Sequence, residues 1–245
     1  MNRALSLARY SLWQFRDFVL ERGIAIVIIG VLWGFVTLVP MRIAITSEMT
    51  TVGHASPLWV MLLEGVSALV ALAVLIAVNG IVSTDRKLGY YRFLFAKPVD
   101  PVLYYAQLFL VSMIGVVLSM LVLASLLHTI VPIFSIVNFL LYVALIYVAM
   151  GGIGFFVSVA MRFDWVSLVT VWLGSRILRL LYGPRNDWRS KAVELLPPVH
   201  KVDAVATSLI TTGSAHATDV LWLLGYGALF FALGLALLRW RSLAD

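Results

Sequence analysis

Residues 58–82 read LWVMLLEGVSALVALAVLIAVNGIV, an apolar run interrupted by one charged side chain, Glu64. As a helix rising 1.5 Å per residue it is about 37 Å long, more than the roughly 30 Å of hydrocarbon in a bilayer. Five further runs meet the same requirement of about 20 mostly apolar residues: 23–45, 102–127, 133–161, 165–182 and 220–240. The run 133–161 is long and carries Gly151, Gly152 and Gly154, which predicts a tilt or a bend. The expected fold is all-α: a polytopic membrane protein with six transmembrane helices, in a single domain over residues 1–245.

Composition agrees with that reading. Of the 245 residues, 62% are hydrophobic and 12% charged, against about 25% charged in ordinary globular domains, and mean hydropathy is +1.01. One core of this size cannot hide so much apolar surface, so lipid is the second solvent. The same figures exclude a disordered chain, a collagen and a coiled coil. In a soluble protein a net charge of +6 would raise nucleic acid as a partner. Here it follows from basic residues gathering at the cytoplasmic ends of spans, and no nucleic acid is expected. With no cysteine there is no disulfide, thiolate metal site or cysteine nucleophile.

The charges also orient the spans. With both termini inside, the cytoplasmic segments hold Arg3, Arg9, Arg16, Arg22, Arg86, Lys87, Arg92, Lys97, Arg162, Arg239 and Arg241. The outer side receives only Arg42, Arg185, Arg189, Lys191 and Lys201, as the positive-inside rule requires. Four of those five lie between the fifth and sixth spans, which leaves a re-entrant fifth segment with that loop inside as an alternative. The expected location is the inner, cytoplasmic membrane.

Charges at Arg9, Arg16, Asp17, Glu21 and Arg22 interrupt any early apolar run, so no cleavable signal peptide is expected. Residues 1–22 instead suggest an interfacial amphipathic helix. Leu5, Ala8, Leu12, Phe15 and Val19 recur at helical spacing, with Arg3, Ser6, Tyr10, Gln14, Asp17 and Glu21 opposite. Arg9 and Arg16 at its flanks would reach the phosphates of membrane lipids.

The most informative polar stretch follows the second span, at 83–101: STDRKLGYYRFLFAKPVDP. Arg92, Phe93, Leu94 and Phe95 make a mixed apolar and basic turn, and Pro98 and Pro101 then stop it and reset the chain for the third span. A short amphipathic helix at a membrane surface can serve as a docking element.

This stretch resembles the permease subunits of type-2 ATP-binding-cassette (ABC) exporters. Members of that family carry an acidic residue after the second span, a Gly four positions on, a Leu-rich turn, then Pro-Val and a small polar residue. Asp85, Gly89, Phe93, Leu94, Phe95, Pro98, Val99 and Asp100 stand at those places, with Tyr104 and Tyr105 following. Two positions depart: Tyr90 replaces the usual Thr, and Asp85 the usual Glu. The resemblance extends loosely to the interfacial helix, the six spans and the segment 194–200, ELLPPVH, within an outer loop 183–219 where the family places short helices.

What the resemblance implies is a coupling helix within 83–101 that sits in a groove of a separate ABC ATPase subunit. The residues it assigns to that coupling are Asp85, Arg86, Gly89, Arg92, Phe93, Leu94, Pro98 and Asp100. It further implies a second permease subunit, in a homodimer or heterodimer, with ATP and Mg bound by the partner ATPase and no cofactor in this chain. The sequence has no G-x-x-x-x-G-K-[ST] loop, so an ATPase of that kind must be another chain.

Charges inside the membrane are the remaining candidates. Glu64 lies about 10 Å from the outer start of the second span, and Arg176 about 17 Å from the inner start of the fifth, with Arg179 one turn higher. At roughly 2.5 to 3.5 kcal/mol each on insertion scales such charges need partners, and Glu64 with Arg176 or Arg179 is the economical pair. A structural ion pair, substrate contact and snorkelling to headgroups all remain open for them. His54, His128, His200 and His216 lack metal spacing, so no metal site is expected. Glu48, Asp187, Glu194 and Asp203 read as solvated loop charges.

The leading function is the membrane-spanning permease of an ABC exporter working by alternating access, a chain that is not itself an enzyme. One alternative is a membrane-embedded lipid-headgroup enzyme using Arg176, Arg179 and Arg185 to grip phosphate, though it lacks a nucleophile, base or metal cluster. Another is a non-catalytic membrane assembly factor.

Overall fold

In lipid no water is available to bond backbone groups, so long apolar runs pair their N–H and C=O groups within helices. The computed structural model describes residues 3–51, 57–89, 100–130, 135–161, 164–182, 188–189, 191 and 199–240, and among them no strand occurs. In chain order the helices are α1 (Arg3–Phe18), α2 (Ile24–Thr51), α3 (Pro57–Val78), α4 (Ser83–Leu88), α5 (Pro101–Ile130), α6 (Ile136–Ala160), α7 (Asp164–Tyr182), α8 (Val199–Thr212) and α9 (Ala217–Trp240). A π-helical turn, Val19–Gly23, joins α1 to α2 without a break.

Five helical stretches among the described residues are long and apolar enough to cross a membrane: Tyr10–Thr37, Pro57–Lys87, Pro101–Thr129, Ile136–Ala160 and Ala217–Trp240. Four of them coincide with expected runs, whereas the first overlaps the run 23–45 only over 23–37 and takes in residues 10–22, expected in the interfacial helix. The sixth, 165–182, does fold as α7, but its 19 residues include Asp164, Arg176 and Arg179, and it is not among the candidate spans.

α6 sits at the centre, packed against α3, α5, α7, α8 and α9. Its contact with α9 is the most extensive and is made by glycines: a Cβ on Gly227 would fall 2.2 Å from the Val148 carbonyl oxygen, and one on Gly152 2.1 Å from that of Gly227. Small residues let two backbones approach this closely, which is how helices associate where lipid removes the hydrophobic drive. Beside this seam Phe109 of α5 packs its ring 5.0 Å from Tyr147, 5.8 Å from Phe155 and 4.4 Å from Phe231. The Tyr147 hydroxyl, fully buried, donates to the Phe109 carbonyl at 3.0 Å. Outward faces are apolar, with Ile28, Leu32 and Phe35 on α2 and Leu221, Leu229 and Leu233 on α9 all exposed.

Leu12 is 72% exposed, whereas Gln14, on the polar side, is 3% exposed and packed inward with Phe18. α1 lies along α5, where Gln107 donates to the Ser11 hydroxyl at 2.7 Å and Phe18 covers Gly115. The side of α1 that meets α5 is mixed, with Ser11, Gln14 and Phe18, and the side turned outward includes Leu12 and Trp13.

Candidate functional site

The site is the end of the bundle where α3 stops and the 83–101 loop begins. α3 terminates at Asn79–Gly80, and Gly80 adopts φ +75°, open to glycine at little cost. A Cβ there would also lie 2.2 Å from the Thr84 hydroxyl oxygen. Arg22, projecting from the π turn, donates from Nη1 to the Ala77 carbonyl at 2.5 Å. A cation at the C-terminal end of a helix both bonds an orphan carbonyl and meets the negative end of the dipole.

α4 is bound on two sides. The Ser158 hydroxyl of α6 accepts from the backbone N–H groups of Val82 and Ser83 at 3.1 and 3.3 Å, and Arg86 Nη2 donates to the Val159 carbonyl at 3.2 Å. From α5, the Tyr105 hydroxyl donates to Asp85 Oδ2 at 3.1 Å, and Arg22 attracts the same carboxylate. Gly89 then ends α4 at φ +71°, its N–H bonded to the Arg86 carbonyl at 3.3 Å. At the far end of the loop Asp100 caps α5, its carboxylate accepting from the Val102 N–H at 2.9 Å.

Of the residues the sequence assigns to coupling, Asp85 and Arg86 therefore bond to the bundle, Gly89 shapes the exit from α4 and Asp100 starts α5. Arg92, Phe93, Leu94 and Pro98 lie outside the described residues. Sequence reasoning missed Arg22 and Ser158, which bear on the loop from 55 and 76 residues away along the chain. An arginine before a span reads as an inside charge, and a serine in an apolar helix carries no signal of its own.

Ser158 is directly testable. Ser158→Ala removes the hydroxyl that accepts from these two buried N–H groups, at about 1–3 kcal/mol for each donor left unsatisfied. Thermal melting of the purified protein is expected to fall well below wild type. Ser125→Ala, at an exposed serine that bonds the carbonyl of its own helix, is expected to melt as wild type does.

A second polar cluster ties α8 to the opposite end of the bundle. Ser67 and Tyr142 share a buried hydroxyl–hydroxyl bond of 2.8 Å, and Ser67 donates on to Asp203 at 3.4 Å, which makes Tyr142 the donor to Ser67. Lys201 pairs with Asp219 at 2.8 Å and lies 5.7 Å from the centre of the Trp222 ring. Asp203 is thus no solvated loop charge: α8 carries it onto α3 and α6, a placement its short amphipathic sequence does not announce.

Glu64 is exposed on α3. Arg179 is half-buried on α7, and the side chain of Arg176 lies outside the described residues. The principal neighbours of α7 are α6 and α8, those of α3 are α2, α5, α6 and α8, so their helices are not close partners. Among the described residues no group of three His, Asp or Glu side chains is placed to hold a metal ion. Comparison of the chain with protein-family models, with curated proteins and with solved structures finds no match.

Proposed function

We propose that this chain is the membrane-spanning permease subunit of an ABC exporter, in the inner membrane with both termini cytoplasmic. The reading rests on one observation above all: a loop with the exporter-like pattern Asp85 to Asp100 is mounted firmly at both ends. Its entry is bonded to α5 and α6, and its exit is capped into α5. A push on such a loop moves helices, whereas a connector hung on flexible ends would absorb it. Closure of two partner ATPases, which hold the ATP and Mg, displaces the loop. The displacement reorients the spans of this chain and of a second permease subunit, and the chain itself makes and breaks no covalent bond.

Tagged protein purified from native membranes in mild detergent is expected to carry a stoichiometric ATPase with a Walker loop. Gly89→Pro, which forces φ to about −65° where the chain needs a positive value, should then cut the stimulation of that ATPase at least about fivefold. Phe93→Asp should do the same, and both variants should elute as wild type does. Wild-type stimulation in both overturns the coupling role, and recovery without any ATPase, in detergent shown to preserve a known transporter, overturns the permease reading.

A further inference from the structure

Glu64 stands about 10 Å past the start of α3 at Pro57, inside a helix long and apolar enough to cross a membrane. It is exposed, and among the described residues nothing bonds to it. Met61, Ala68 and Leu72 continue an exposed stripe on either side of it, while the rest of α3 packs on α2, α5, α6 and α8. Charged side chains at such depth face the inside of a bundle, a water-filled cavity or an opposite charge, because hydrocarbon offers them no partner. On an outward, otherwise apolar stripe only the last of these is open to Glu64, and the basic group has to come from outside this bundle.

α7 carries that group at the matching depth. It begins at Asp164, just after α6 ends at Ala160, and reaches α8, which Asp203 ties to α3 at Ser67. The start of α3 and the end of α7 therefore lie beside the same short helix. Arg176 stands about 9 Å from the end of α7 at Tyr182, against about 10 Å for Glu64 from the start of α3. By helical spacing its position falls on the face that exposes Leu173, Ile177 and Leu180. Within one chain α3 and α7 are not close partners, but both pack on α6 and α8 and so flank one side of the bundle. A two-fold axis on that side sets α3 of each copy against α7 of the other, and one operation makes two opposite-charge pairs. We propose that the chain pairs with a second copy of itself in this way: Glu64 of each copy meets Arg176 of the other, and α7 covers the stripe that α3 leaves open. This gives the second subunit of the permease reading an identity, and rests on that reading only for there being a second subunit.

The chain has no cysteine, so cross-links can be placed singly in the full protein in native membranes. Two copies with different tags are co-expressed, one with Met61→Cys and the other with Leu180→Cys, both at exposed positions near the paired charges. A short bismaleimide is expected to join the two tags, whereas Met61→Cys with Leu229→Cys on α9 is expected to give no such product. Glu64→Arg and Arg176→Glu, each expressed alone under both tags, should cut recovery of one tag with the other at least about tenfold, since like charges then meet in both pairs. Co-expression of the two variants should restore recovery, because every pair in the mixed dimer is again opposite in sign. Rescue by both changes in one chain but not by mixing makes the pair intramolecular and overturns the proposal. Unchanged association in both variants, which leaves Glu64 facing water or lipid, overturns it too. If the charge variants fail to fold, the cross-link decides alone, and its absence between tags is decisive against the pairing. Recovery of an ATPase without association of two copies would overturn this pairing and leave the permease reading standing.

Discussion

Gly227→Leu is expected to abolish recovery of folded protein. The nearest atoms to a Cβ at this position are backbone, the Val148 carbonyl oxygen at 2.2 Å, its carbon at 2.7 Å and the Ala149 Cα at 2.7 Å. No rotamer relieves such a contact, so α6 and α9 must separate along their seam. A gap of even 0.5–1 Å forfeits about a quarter to a half of each van der Waals contact, and between helices in lipid those contacts are most of what holds them. The cost should be at least about 3 kcal/mol, the upper end for overpacked cores. Size-exclusion chromatography of detergent extracts should show the monodisperse peak lost. Gly225→Leu is the internal control, because a Cβ there meets nothing within 4 Å. Equal profiles for the two variants would mean that α6 and α9 do not meet at Gly227.

The second large effect is expected at Phe109. Its ring contacts Tyr147, Phe155 and Phe231, and it is only 5% exposed, so Phe109→Ala leaves a cavity where α5, α6 and α9 meet. In water such a truncation costs about 3–5 kcal/mol. In a bilayer part of the transfer term drops out, since lipid is as apolar as the core, and the cavity and lost ring contacts leave roughly 2 kcal/mol. Phe109→Leu should recover much of that, whereas Leu110→Ala, on the exposed side of the same helix, should cost little. Thermal unfolding followed by tryptophan fluorescence gives the order; a Phe109→Ala variant as stable as Leu110→Ala would show that the aromatic cluster adds nothing.

How far the sequence reaches depends on what carries the signal. α3, α5, α6 and α9 were legible because twenty or more apolar residues in a row permit little else, and their observed limits fall within a few residues of the runs. α7 forms at the expected place, yet Arg176 and Arg179 make its depth ambiguous by composition alone. On α1 the spacing of Leu12, Phe15 and Val19 showed an apolar side, but not that Gln14 on the other side would be buried against protein together with Phe18. At the loop, Asp85 and Gly89 were visible as a local pattern. Ser158, Arg22 and Tyr105 act on it only through tertiary contact, and so does the link from Asp203 to Ser67; spacing along one chain cannot show such meetings.

The seam between α6 and α9 also bears on how the protein is made. Translation passes the end of α6 at Ala160 and does not complete α9 until Trp240, 80 residues later by the two limits. At about 5–20 residues per second this is an interval of roughly 4 to 16 s. Throughout it the glycine groove of α6 faces either lipid or a helper in the insertion machinery, open to any passing helix with small residues. A nascent chain stalled or truncated before α9 would therefore present an adhesive edge to its neighbours, and arrival of the last helix closes it.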